Sequence, residues 1–209
     1  MHKTRLIALV MGLACSLTLS PAWARRALVV TIYPHDELAG ISDQQLHDDY
    51  FQHWLEEMRS FTQQPIEVVY QRAISGLTDI DYQSMTAIQA LDAFTRGVEI
   101  QRSVRPFSFM NKDVLLTKDS YDQSGMTFVG GLAHLSGTTA IASMRSYAMP
   151  GHVIGHMLSA SHRDAETRYN GWFCESYMVP ARIALRSNCY HYSEANRAAI
   201  TDYLNYHSN

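Results

Sequence analysis

The sequence predicts a single α/β domain behind a cleavable export leader. Strand-like and helix-like hydrophobic patterns alternate along residues 27–206, which is the signature of one α/β domain. Residues 1–24 have the make-up of a leader, and a histidine triplet at 152, 156 and 162 falls on one of the helical stretches. No internal repeat, low-complexity run or linker divides the chain.

The leader begins with His2, Lys3 and Arg5, and continues through a mostly apolar run at 6–19. Pro21-Ala22-Trp23-Ala24 then has the small-x-small pattern that signal peptidase cuts. The apolar run is shorter than the ~20 residues needed to cross a bilayer. Cleavage after Ala24 is expected; a lipoprotein signal ending at Cys15 is disfavoured by Gly12, where a leucine-like residue belongs. The expected location is secreted or periplasmic, with residues 25–209 forming one domain large enough to bury a core. Only Arg25 and Arg26 then precede the first strand, so no pro-segment with a metal-ligating cysteine is expected.

Removing the leader takes Lys+Arg from 17 to 15 against 20 Asp+Glu, and the net charge from −3 to −5. With no basic block or aromatic-basic stripe, a nucleic-acid partner is not expected. No later segment is apolar enough to span a membrane. Cys174 and Cys189 remain as an even pair in an oxidising compartment, where a disulfide is expected in preference to two free thiols. Such a bridge contributes about 3 kcal/mol in the chain-entropy picture.

The elements follow in order. Residues 27–33 are a β-branched run stopped by Pro34, and read as a buried first strand. Ser42 and Asp43 cap a helix to about Phe61, with Leu46, Tyr50, Trp54 and Met58 at helical spacing. Residues 66–70 read as a second strand, 84–100 as a helix with Ile88, Leu91, Phe94 and Val98 on one stripe, and 113–117 as a third strand. Residues 119–125 read as a polar loop. The glycine-containing stretch 128–135 and the small-residue stretch 138–144 follow, then helices at 151–160 and 193–206.

His152-Val-Ile-Gly-His156-Met-Leu-Ser-Ala-Ser-His162 carries the chemistry. On a helix, histidines four apart project from one face about a turn apart. Catalytic zinc takes three protein ligands and keeps one position open. His162 reaches the same metal if the helix ends and the chain turns back through the small residues at 159–161. Ten histidines in the chain make chance clustering the competing explanation for a single pair, and a poor one for the triplet.

This spacing resembles the metzincin zinc motif, including Gly155 before the second histidine. Cys174-Glu-Ser-Tyr-Met178 resembles the metzincin Met-turn, whose methionine packs beneath the metal. Gly130-Gly-Leu-Ala-His-Leu135 resembles the edge strand that precedes the active-site helix, and Tyr192-Ser-Glu-Ala-Asn-Arg-Ala-Ala-Ile200 is similar to the last helix start of reprolysin-like members. In that branch a cysteine before the Met-turn commonly bonds one before the last helix, as Cys174 and Cys189 are placed. The resemblance implies a zincin fold with a mixed, twisted sheet on long helices and a small C-terminal subdomain. It implies one Zn2+ on His152, His156 and His162, and a peptide or protein bound as an added strand along Gly131, Leu132, Ala133 and His134.

Two positions depart from the family. Ser159 stands where glycine makes the tight turn, and serine enters positive φ at a cost. Val153 stands where the family has its general-base glutamate. General acid–base help is worth roughly 10²–10⁴-fold, so valine predicts impaired or absent hydrolysis. Asp164, Glu166 and Glu175 are the nearby carboxylates that could substitute, although a solvated or histidine-orienting role is the plainer reading for Asp164 and Glu166. Tyr177 precedes Met178 and reads as a core aromatic, and His134, His191 and His207 as isolated histidines. The expectation is a secreted zinc-binding metallopeptidase homologue that binds a peptide or protein, with impaired or absent hydrolysis. The alternatives are a working endopeptidase using a displaced carboxylate or zinc-hydroxide, and a structural zinc domain.

Overall fold

The computed structural model describes residues 25–102, 107–124, 127–169, 171–183 and 185–208. The leader expected at 1–24 lies outside them. The described residues are built on a five-stranded sheet of order β2-β1-β3-β7-β6, with β1 at Leu28–Pro34, β2 at Ile66–Tyr70, β3 at Asn111–Thr117, β6 at Gly131–Ala133 and β7 at Thr139–Ser143. The first four run parallel, and β6 pairs antiparallel with β7 in the register Gly131↔Ala142, Leu132↔Ile141, Ala133↔Ala140. Strands buried on both faces read as near-continuous apolar runs, which is why 28–33 and the 114–116 stretch of β3 stand out in the sequence.

The period of two sorts those runs between two cores. Leu28, Val30, Ile32, Val114, Leu116, Ala140 and Ala142 face one side, where the helices α1 (Asp43–Leu46), α2 (Gln52–Phe61), α4 (Met149–Met157) and α5 (Glu194–His207) supply Leu46, Trp54, Met58, Ile154 and Ile200. Tyr33, Leu115 and Ile141 face the other, against Leu91, Phe94 and Val98 of α3 (Ala87–Arg102). Glu57 of α2 is buried and accepts bonds from the Tyr192 N–H at 2.8 Å and from Arg197 Nε at 2.9 Å, which locks α5 onto this layer.

Between α1 and α2 the chain makes a π-turn over His47–Phe51 without breaking the helix. Leu46, Tyr50, Trp54 and Met58 are all buried. Their four-residue spacing exceeds the 3.6-residue turn, and the wider turn takes up the drift.

Two sequence expectations are corrected. Ile88 is 66% exposed and lies off the α3 stripe, which is instead Ala87, Ala90, Leu91, Phe94 and Val98. Residues assigned to a polar loop at 119–125 include β4 (Tyr121–Ser124), paired with β5 (Thr127–Val129). Buried Tyr121, its hydroxyl 2.9 Å from Thr117 Oγ1, anchors that hairpin despite its polar neighbours.

After α4 the chain enters a small three-stranded sheet of β8 (Thr167–Tyr169), β9 (Phe173–Glu175) and β10 (Ser187–Asn188). A disulfide joins Cys174 to Cys189 across β9 and the end of β10.

Candidate metal centre and cleft

His152 and His156 lie one turn apart on α4, and His162 opens a short 3-10 turn at His162–Asp164. The three rings converge. His162 Nε2 stands 3.2 Å from His152 Nε2 and 2.9 Å from His156 Nε2. Tetrahedral zinc with Zn–N bonds of ~2.0–2.1 Å places ligand nitrogens about 3.3 Å apart, so the spacing fits a zinc ion with little adjustment.

The other ring nitrogens decide what those Nε2 atoms present. His152 Nδ1 lies 2.6 Å from the Tyr177 carbonyl oxygen, and His156 Nδ1 lies 3.1 Å from that of Ala160. A carbonyl can only accept, so both Nδ1 atoms carry the proton and both Nε2 atoms turn a lone pair inward. A proton on His162 Nε2 can serve one of those lone pairs, whereas a cation serves all three. Burial, with His156 as neighbour, pushes the His152 pKa down to about 3. Burial and His162 lower that of His156, and burial lowers that of His162. All three are neutral at pH 7, the form that binds metal.

The local fold explains how His162 returns to the helix. At the end of α4 the Ala160 N–H donates to Gly155 O at 2.9 Å and the Ser159 N–H to His156 O at 3.1 Å, with Ser159 at φ +74°. This is a Schellman cap with serine in the left-handed position usually given to glycine. That conformation costs a non-glycine residue roughly 1–2 kcal/mol. Beneath the site, Met178 is fully buried against Gly155, where a Cβ would stand 2.7 Å from its sulfur.

A cleft of about 380 Å³ opens beside the histidines. One wall is β6 with Leu135; the other is His152, His156, Ser161 and His162. Because β6 ends the sheet order, its outer edge has no strand partner among the described residues.

No protein-family model and no curated protein matches the sequence. Solved structures match its fold. Metalloproteinase-II from Bacteroides fragilis aligns with 87% of this chain and 54% of its own, at 15% identity and a TM-score of 0.63. Archaemetzincin from Methanopyrus kandleri aligns with 90% of this chain and 99% of its own (14% identity, TM-score 0.53). A zinc-dependent peptidase from Methanocorpusculum labreanum aligns over 82% and 99% (15% identity, TM-score 0.51). The fold is that of the metzincins. At such identities the likeness concerns the fold alone, and the chain spans about half the length of the Bacteroides protein.

On this metzincin fold, Val153 is wholly buried, its Cγ1 only 2.8 Å from where a Cβ on Gly131 would lie. The three nearby carboxylates are engaged elsewhere. Asp164 accepts from Ser161 Oγ at 3.0 Å. Glu166 lies 2.8 Å from His191 Nε2 and pairs with Arg168; burial raises its pKa, but the His191 hydrogen bond and the Arg168 guanidinium outweigh that and lower it. Glu175 is buried beside Arg186 at 3.4 Å and Arg182 at 3.8 Å. None of the three lines the cleft. Tyr177 is a buried core aromatic. His134 lies one residue beyond β6, exposed in the following turn, while Gly131, Leu132 and Ala133 form both the strand and the cleft wall.

The structure adds residues that the sequence pattern did not mark. Asn196 of α5 is fully buried; its Oδ1 accepts from the Ser161 N–H at 2.8 Å, and its Nδ2 donates to Ser161 O and Asp164 O at 3.2 Å each. It therefore grips the backbone on both sides of His162. Lys112 is fully buried and its Nζ donates to Gly137 O, Met157 O and Tyr203 Oη at 2.7–2.8 Å. Burial, with Arg102 nearby, pushes its pKa down to about 7. A lone lysine inside a mixed strand and an asparagine in the first turn of a helix carry no sequence signal of this kind.

Proposed function

We propose that the protein is an exported, zinc-binding metallopeptidase homologue that holds peptide or protein segments and hydrolyses them little or not at all. Residues 1–24 would be removed on export. His152, His156 and His162 would hold one Zn2+, which when bound supplies Lewis-acid polarisation of a carbonyl. A peptide would pair with the free edge of β6, its main chain meeting Gly131 to Ala133 and its side chains meeting Leu132 and Leu135. The Cys174–Cys189 bridge supports placing the chain near the reprolysin-like branch of the fold.

The observation that carries the non-hydrolytic reading is the absence of any carboxylate among the residues lining the cleft. Val153 takes up no proton, and Asp164, Glu166 and Glu175 are bonded to other partners. Among the described residues, no carboxylate lines the cleft to receive a proton from water and pass it to a leaving amine. That counts against an endopeptidase with a displaced base. The open cleft beside the histidines counts against a purely structural zinc site, which is normally closed by four protein ligands.

The test is zinc stoichiometry together with a peptide-library assay of the parent and Val153→Glu. We expect one zinc per chain, lost in His156→Ala, and no cleavage by the parent. Cleavage by the parent that a chelator abolishes and zinc restores would refute the reading. A protein without zinc at neutral pH would overturn the metal assignment itself.

A further inference from the structure

Ser136 lies on the turn between β6 and β7, outside the helix that carries the histidines and well before it in sequence. It nevertheless bonds twice to the end of that helix. Its backbone N–H donates to His156 O at 2.9 Å, and its hydroxyl lies 2.8 Å from Ser159 Oγ. The next residue, Gly137, accepts from Lys112 Nζ at 2.7 Å, and the same ammonium donates to Met157 O at 2.8 Å. One turn of the edge-strand hairpin is thus joined to residues 156, 157 and 159.

These bonds meet at the turn between α4 and His162, where Ser159 holds a left-handed backbone. Ser159 holds φ +74°, a conformation a serine leaves readily when nothing retains it. Ala160 follows, and its carbonyl accepts the His156 Nδ1–H at 3.1 Å. A Ser159 that relaxed toward negative φ would swing that carbonyl away and free the His156 ring. Beyond Ala160 the backbone is fixed by Asn196 through Ser161, so between helix and His162 the chain is held by the two cap bonds of Ser159 and Ala160 and by the Ser136 hydroxyl.

We propose that Ser136 is a positioning residue for the metal centre, acting through Ser159 and the Ala160 carbonyl to hold His156 and His162 at ligand spacing. This rests on the zinc reading given above. It also makes one joint common to the edge strand and the metal turn. The hydroxyl of Ser159, which glycine lacks, is what that joint grips.

The experiment titrates Zn2+ into the metal-free protein against a competing chelator, and records the visible absorption of the Co2+ form, which reports ligand geometry. Parent, Ser136→Ala and Ser136→Ala/Ser159→Gly are compared, with the thermal midpoint of each metal-free form. Partners of metal ligands are typically worth 10–100-fold in affinity. We expect Ser136→Ala to weaken Zn2+ binding about tenfold or more and shift the Co2+ band, with a metal-free midpoint close to the parent's. The double variant should recover, because glycine keeps positive φ unaided. Unchanged affinity and band in Ser136→Ala, in a parent that does bind zinc, would overturn the proposal. So would a double variant as weak as the single one. A parent that binds no Zn2+ would instead remove the zinc reading on which the proposal stands.

Discussion

The Nδ1 atom of His152 is hydrogen-bonded to the backbone carbonyl of Tyr177, the residue immediately before Met178. The chain segment that lies under the histidines therefore also sets the tautomer of the first of them. Because the acceptor is backbone, its position depends on how closely that segment approaches α4. Gly155 permits the approach: a Cβ there would come within 2.7 Å of Met178 Sδ and 2.8 Å of the Tyr192 ring.

Gly155→Ala tests this directly. In an ordinary helix the change stabilises, by up to about 1 kcal/mol. Here it should destabilise by about 1–3 kcal/mol through overpacking, and weaken zinc binding as the Tyr177 carbonyl moves. Urea denaturation and a zinc titration read both effects. A variant more stable than the parent would show that the packing yields freely.

Acid should destabilise the metal-free protein through His152. Its folded-state pKa is depressed to about 3 from 6.5. Between those values the unfolded chain binds the proton and the folded one does not, so stability falls as pH drops from about 6.5 toward 3. The slope approaches ~1.4 kcal/mol per pH unit for this one group. Stability measured against pH for parent and His152→Gln should show a shallower acid limb in the variant. Superimposable curves would exclude His152 as a contributor.

Asn196→Ala should be costly for a residue on no cleft wall. Three bonds to the Ser161 and Asp164 backbone disappear, leaving one half-buried N–H and two carbonyls with that partner removed. A loss of about 3 kcal/mol is expected, together with weaker zinc binding because His162 sits between the two anchored residues. Denaturation midpoints and zinc affinity check it. Full zinc affinity in a folded Asn196→Ala would mean that His162 is held by other contacts.

Reduction of the Cys174–Cys189 bridge should cost about 3 kcal/mol, the chain-entropy value for the loop of separation 15 that it closes. The double change Cys174→Ser, Cys189→Ser should behave like the reduced parent in denaturation with and without reductant. A reductant-insensitive parent midpoint would contradict this.

Much of the fold was legible because its signals are local. The strands at 28–34 and 66–70 and the 113–117 part of β3 carry β-branched or apolar runs, and α2 and α5 show helical spacing. Helix α3 was found with one face wrong at Ile88, because two adjacent apolar residues at its start, Ala87 and Ile88, cannot both face the core. The β4–β5 hairpin was missed because its pairing is held by Tyr121, whose partner Thr117 belongs to another strand.

The candidate site divides along the same line. The sequence by itself determined the three histidines that converge, His152, His156 and His162, and the valine at 153. Helical periodicity comes from bonds between residues four apart, so convergence of the first two rings is already written in their spacing. Tertiary structure decided the rest: the protons on Nδ1 of His152 and His156, the engagement of Asp164, Glu166 and Glu175 away from the cleft, and the support of Ser159 by Ser136. Several of the partners that settle those features stand far along the chain from the groups they hold, and a hydrogen bond or ion pair at that separation exists only once packing has brought its two ends within about 3 Å.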